Sequence, residues 1–156
     1  MVTIFRPHRA LEIKNWCLLF AILFLTSSCR QMWGDNPLGD SLSLLEGDRK
    51  EDRIIVRCTG YSGGACYIGE QLIPGYDRHM DAEGHYAEYV EKATSNNDWI
   101  IAKSIQVKDK SENYWIIDKH FSSKKGNSQF NVMGPFKLLE FRNKTKELNI
   151  DLEFEE

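Results

Sequence analysis

The sequence predicts a mainly β (α+β) domain: an antiparallel meander of about five strands with one C-terminal helix packed on the sheet. Three observations point to it. Residues 53–59 (RIIVRCT), 65–73 (ACYIGEQLI), 98–107 (DWIIAKSIQV) and 113–120 (NYWIIDKH) are short runs rich in Ile, Val, Trp and Tyr, residue types that pack on a pleated surface. Turn-forming residues separate them. Beyond them, Leu138, Leu139, Phe141, Arg142, Thr145 and Leu148 recur close to the 3.6-residue period of a helix.

The chain begins with a leader. Residues 16–29 (WCLLFAILFLTSSC) follow the positive charges Arg6, Arg9 and Lys14 with an apolar core and then small polar residues, the layout of an export signal. That core spans about ten residues, half of the roughly 20 that a helix needs to cross a bilayer. A cleaved leader is therefore favoured over a permanent transmembrane helix. Leu25, Thr26, Ser27, Ser28 and Cys29 resemble the lipobox of bacterial lipoproteins, with small Ser28 before the cysteine and Thr26 where an aliphatic residue is usual. The resemblance implies a signal peptide over residues 1–28 and a Cys29 that carries a diacylglyceryl group and an amide-linked chain such as palmitate. Each buried methylene contributes about 0.8 kcal/mol, and two or more chains hold a protein stably at a membrane. The location implied is the bacterial cell envelope, on the periplasmic face or the cell surface. An ordinary cleaved signal and an uncleaved anchor are the alternatives.

Past the leader 128 residues remain, enough for one domain with a core of its own. They carry 17 basic and 22 acidic residues, so the mature chain is net acidic. Nucleic acid is a poor partner for such a surface, because affinity for it comes from basic patches on phosphate. Residues 29–52 are rich in Gly, Asp, Ser and charge, with Leu42, Leu44 and Leu45 as a small apolar cluster, and read as a flexible tether. As a coil it would reach roughly 25 Å. Within it Asp40, Ser41 and Leu42 resemble the short acceptor motif of a bacterial O-glycosylation system. The single globular domain is expected over residues 53–156.

Gly60, Tyr61, Ser62, Gly63 and Gly64 supply the turn that makes residues 53–59 and 65–73 a hairpin. This loop lacks the Lys-Ser/Thr pair of a phosphate-binding loop. Cys58 and Cys66 flank it. In an oxidising compartment they form a bridge, and two buried thiols are the other reading. Residues 85–94 (HYAEYVEKAT) fit either period and are assigned to a strand, because Ser95, Asn96, Asn97 and Asp98 then turn into the next run. In that run Trp99, Ile101, Lys103 and Ile105 alternate with Ile100, Ala102, Ser104 and Gln106, so at least one face is apolar enough for the core. Gly134 and Pro135 are expected to open the helix, since Pro is tolerated at a first helical position. The tail after Asn149 is expected to pair as an edge strand or to fray.

The order of Tyr114 to Asp118 (YWIID), Gly134 to Phe136 (GPF) and a helix ending in Lys146, Glu147 and Leu148 resembles a family of small uncharacterised bacterial proteins, many of them secreted or lipid-anchored. The resemblance implies a fold type and brings no activity with it.

Asp77, His79, Asp81, Glu83 and His85 form the one dense cluster of acid–base or ligand residues. His79, Asp81 and His85 are the candidates for a metal, since imidazole and carboxylate together suit zinc or calcium. A solvated loop is the plainer reading, and no cofactor is expected. Ser62 stands beside Gly63 without the GxSxG spacing of a nucleophile elbow, and Asp118 with His120 reads as a surface pair. Tyr61, Tyr67, Tyr76, Tyr86, Tyr89, Trp99, Tyr114 and Trp115 are rings for the core or, where exposed, for stacking on a glycan or a protein. The function expected is that of a non-enzymatic, lipid-anchored binding module with a protein or glycan partner. The rivals are a metal-assisted hydrolase around His79 and His85, and an anchored inhibitor or immunity protein.

Overall fold

A computed structural model describes residues 35–120 and 130–154. All of them belong to one compact unit, Gly34–Glu156; the expected leader and Cys29 lie outside the described residues. Two antiparallel four-stranded sheets form it. The first contains β1 (Asp35–Gly39), β2 (Leu42–Leu45), β3 (Ile54–Ser62) and β4 (Ala65–Ile73); the second contains β5 (Glu88–Ser95), β6 (Trp99–Gln106), β7 (Glu112–Asp118) and β8 (Asn131–Phe136). Each sheet runs in sequence order. A short helix α1 (Tyr76–His79) joins them, and α2 (Leu138–Glu147) follows β8.

The mainly β class and the C-terminal helix therefore hold, and the single five-stranded meander is corrected to two sheets. The cause lies in β6 and β7, whose two faces are both apolar. Ile100, Ala102, Trp115 and Ile117 bury against Leu38, Leu42, Leu44, Ile55 and Ile73 of the first sheet. Ile101, Tyr114 and Ile116 on the opposite face bury against Phe141 of α2 and against Leu148, Ile150, Leu152 and Phe154. A sheet buried on both faces needs a layer on each side, and each fully buried Ile contributes about 1.5–3 kcal/mol to holding that layer.

The tether expected over residues 29–52 is corrected for its described part, residues 35–52. Leu38, Leu42 and Leu44 are core residues of β1 and β2, joined by a two-residue turn at Asp40 (φ 51°) and Ser41 (φ 64°). Two successive positive φ values match the right-handed twist of a hairpin. The acceptor-like tripeptide thus sits on this turn, with Ser41 exposed and Leu42 buried. The first described residue, Asp35, stands six positions after Cys29.

The hairpin at residues 53–73 and the strand assigned to residues 85–94 are both present, as β3–β4 and β5. Gly134 and Pro135 lie inside β8 and do not open the helix. They form a bulge: both stand between Met133 and Phe136, while Trp115 alone stands between their partners Ile116 and Tyr114. Gly134 (φ 129°) is needed there, since a Cβ would sit 2.8 Å from Tyr114 O and 2.9 Å from the Trp115 ring. On α2 the predicted stripe shrinks to Phe141 and Leu148, whereas Leu138 and Leu139 are 42 % and 73 % exposed. The helix ends in a Schellman turn, with Asn149 at φ 52°, Ile150 N–H on Thr145 O (2.9 Å) and Asn149 N–H on Lys146 O (3.2 Å). This turn sends the tail back over the sheet, where Ile150, Leu152 and Phe154 pack without strand pairing.

Candidate functional site

Among the described residues a dense polar cluster is centred on Glu88, which was not singled out from sequence. Glu88, at the start of β5, is fully buried. Its Oε1 accepts from Ser104 Oγ (2.5 Å) and Asn113 Nδ2 (3.0 Å). Its Oε2 accepts from Gln106 Nε2 (2.6 Å) and from Arg78 Nε (3.0 Å) and Nη2 (2.7 Å). The first three donors come from adjacent strands, because Glu88 registers with Gln106 and Ser104 registers with Asn113. Arg78 comes from α1, which Gly75 O holds by accepting the N–H groups of Arg78 and His79 (2.9 Å each). Its guanidinium also lies over the Trp115 ring, 5.6 Å from the centroid. The indole N–H of Trp115 donates to Ser104 Oγ (2.7 Å), and Lys137 Nζ donates to Asn113 Oδ1 (3.1 Å).

Five donors on one carboxylate use its lone pairs fully. Glu88 therefore joins α1 to the strand ends through its hydrogen bonds.

His79 belongs to this cluster. It is buried, its Nδ1 lies 2.7 Å from Glu88 O, and its ring meets Tyr86 edge-on at 5.2 Å. A carbonyl only accepts, so Nδ1 carries the proton. Asp81 and His85 form a separate, solvent-facing pair at 3.4 Å. Asp81 Oδ1 accepts the N–H groups of His85 (2.7 Å) and Glu83 (3.1 Å), and the His85 N–H foremost holds the carboxyl below its usual range. His79, Asp81 and His85 thus have separate partners. Among the described residues no group of three His, Cys, Asp or Glu is placed to hold a metal ion. His120 pairs with Asp98 (2.7 Å), while Asp118 accepts the His120 N–H (2.9 Å).

A second buried charge sits elsewhere in the sandwich. Lys119 Nζ donates to Leu38 O (2.5 Å) and Asn96 O (2.6 Å), tying β1 to the turn between β5 and β6. Burial lowers its pKa, against the opposing pull of Asp40 and Asp98. Near the start of β5, Tyr86 donates to Asp52 (2.5 Å), which lowers the carboxyl pKa and raises that of the phenol.

Cys58 and Cys66 are joined as a disulfide, with Cα atoms 5.6 Å apart. Bulges in β3 at residues 58–61 bring the bridge against Val56, Leu45 and Ile54. Of the sequence-predicted rings, Tyr89, Tyr114 and Trp115 are core, while Tyr61 (53 %), Tyr67 (63 %) and Tyr76 (74 %) are exposed, as is Ile68 (52 %). A further apolar surface among the described residues is the start of α2, where Leu139 borders a shallow groove with Phe136, Lys137, Glu140, Asn143, Lys144 and Glu147. The second sheet is covered on both faces, and the exposed large apolar side chains among the described residues lie on the β3–β4 hairpin, at Tyr76 and at the start of α2.

A family model described as "Protein of unknown function (DUF3997)" matches residues 50–156. No curated protein and no solved structure matches the chain. The matched span takes in β3 to β8 and α2, including the YWIID and GPF elements, and leaves β1 and β2 outside it.

Proposed function

The chain belongs to the DUF3997 family of proteins of unknown function, and from that premise we propose that it is a lipid-anchored, non-enzymatic interaction module of the bacterial cell envelope. The leader and the lipobox-like residues ending in Cys29 support export and acylation. The Cys58–Cys66 bridge supports the same compartment, since disulfides persist where the surroundings oxidise.

The observation that carries the interaction role is the outward face of α2. Leu139 is 73 % exposed and Leu138 42 % exposed on a helix whose inward residue, Phe141, is buried. Around them Lys137, Glu140, Lys144 and Glu147 supply charges of both signs. An apolar centre with a polar rim is how protein interfaces are built. Aliphatic leucines give a sugar ring no flat partner, so the reading favours a protein over a glycan. An anchored inhibitor of a secreted toxin is a special case of this reading.

The test places a photo-crosslinking residue at Leu139 in the full chain, expressed in the envelope. A discrete adduct, lost when Leu138→Lys is added, is the expected result. A full chain that is present and folded but gives no adduct at Leu139 overturns the reading.

A further inference from the structure

We infer that the tip of the β3–β4 hairpin is a second membrane contact, in which Tyr61, Tyr67 and Ile68 seat among the head groups of the bilayer that holds the Cys29 lipid. The inference rests on the anchored reading above and adds the orientation of the domain on its membrane.

Four observations converge on this hairpin. Tyr61, Tyr67 and Ile68 are 53 %, 63 % and 52 % exposed, three large apolar side chains within eight residues. Residues 58–69 (CTGYSGGACYIG) contain no Asp, Glu, Lys, Arg or His, the longest such run after Cys29 in a chain that is 28 % charged. A segment entering head groups avoids the desolvation cost of charge, and Tyr, with an apolar ring and a polar tip, collects at that boundary. The disulfide and the bulges hold the tip in one shape, so little conformational freedom is lost on seating.

The fourth observation concerns the start of the folded chain. The Cys66 N–H donates to Asp35 Oδ2 at 2.8 Å, so β1 begins directly against the hairpin, next to Tyr67 in sequence. Asp35 stands six positions after Cys29, and a fully extended chain over six steps spans at most about 20 Å. An acylated Cys29 therefore keeps the hairpin within that distance of the bilayer. The same short connection identifies the occupant as the anchoring membrane rather than a distant partner.

Tyr76 supplies an internal control. It is 74 % exposed and lies past the far end of β4 from the tip. The full mature chain is purified from envelopes, its intact mass is measured for lipid on Cys29, and it is reconstituted into vesicles of phosphatidylethanolamine and phosphatidylglycerol. Hydroxyl-radical labelling of Tyr61, Tyr67 and Tyr76 is then read by mass spectrometry, in the vesicles and in native envelopes. With lipid on Cys29, the expected result is that labelling of Tyr61 and Tyr67 falls several-fold relative to Tyr76 in the vesicles. Equal labelling of all three on an acylated chain overturns the membrane contact and leaves the anchor standing. Protection in envelopes but not in pure lipid vesicles also overturns it, by assigning the tip to another envelope component. A Cys29 without lipid removes the anchor, and the inference falls with it.

Discussion

Replacing Glu88 tests whether the buried cluster holds α1 to the second sheet. Glu88→Ala takes the acceptor from five donors at once: Arg78 through two nitrogens, Gln106, Ser104 and Asn113. Removing one partner of a buried ion pair costs about 3–5 kcal/mol. The Arg78 side chain is 35 % exposed and regains water, so the lower part of that range, about 3–4 kcal/mol, is expected. Glu88→Gln keeps volume and one acceptor oxygen, but its amide N–H groups then face Gln106 and Arg78, which only donate there; about 2–3 kcal/mol follows from a lost charge-assisted bond and an unmatched donor. Urea unfolding, read by far-ultraviolet circular dichroism and by tryptophan emission, measures both. Trp115 reports directly, because its indole N–H donates to Ser104. Combining either change with Arg78→Met should be markedly less than additive, since the two residues share one interaction. If both Glu88 variants unfold within about 0.5 kcal/mol of the wild type, the usual range for unstructured surface positions, the carboxylate does not hold the fold.

Three further outcomes follow from the same geometry. A chain beginning at Arg53 loses Leu38, Leu42 and Leu44 from the core; three buried leucines at about 2–3 kcal/mol each rival the 5–15 kcal/mol net stability of a domain, so no cooperative melt is expected, and one within a few degrees of the full chain contradicts the placement of β1 and β2. Reducing Cys58–Cys66, whose cysteines are eight residues apart, should lower stability by about 2.5 kcal/mol on loop-closure grounds, and an unchanged urea midpoint with dithiothreitol refutes a formed bridge. Burial, and then the hydrogen bond to Glu112, push the Tyr114 phenol up from 10.0 to about 12. An acid with a raised folded pKa binds more protons folded than unfolded, so its contribution is intact below pH 10 and is lost as pH rises towards 12, by roughly 2–3 kcal/mol in all. Tyr114→Phe should flatten that alkaline decline in a pH series of urea melts, and an equal slope in both proteins assigns the decline elsewhere.

Strands that carry Ile, Val and Trp on alternating positions were legible in the sequence, as with β6 and β7, because burial on a pleat selects those residues directly. Two kinds of element were not. In β1 and β2 the short strands are embedded among Asp, Ser and Gly, which serve the Asp40–Ser41 turn and the edge of the sheet; composition over the whole stretch hides them. Leu38, Leu42 and Leu44 were the available signal, since Leu42 and Leu44 keep the period of two and Leu38 faces them across the turn. The helix failed differently. A stripe at helical spacing gives a direction but not its width, and β8 together with the returning tail already fills the space that Leu138 and Leu139 would have occupied.

The polar cluster was hidden for a more general reason. Ser104 and Gln106 continue the inward face of β6 beyond Ile100 and Ala102, so along one strand they look like a core face running out into solvent. Only the register with Glu88 and Asn113 shows that three strands turn polar at the same level, and register is a property of pairing rather than of any single run. Pairing also shortens the connection between the proposed anchor and the domain. A 24-residue coil would let the domain sample many orientations, whereas pairing of β1 with β2 places paired strand from Asp35, six positions after Cys29. On so short a connection, an acylated chain keeps the face that carries Asp35, Cys66 and the hairpin tip close to the lipid. The face that presents Leu139 belongs to the other sheet's covering helix. One sandwich would then offer separate surfaces for its membrane and for a partner.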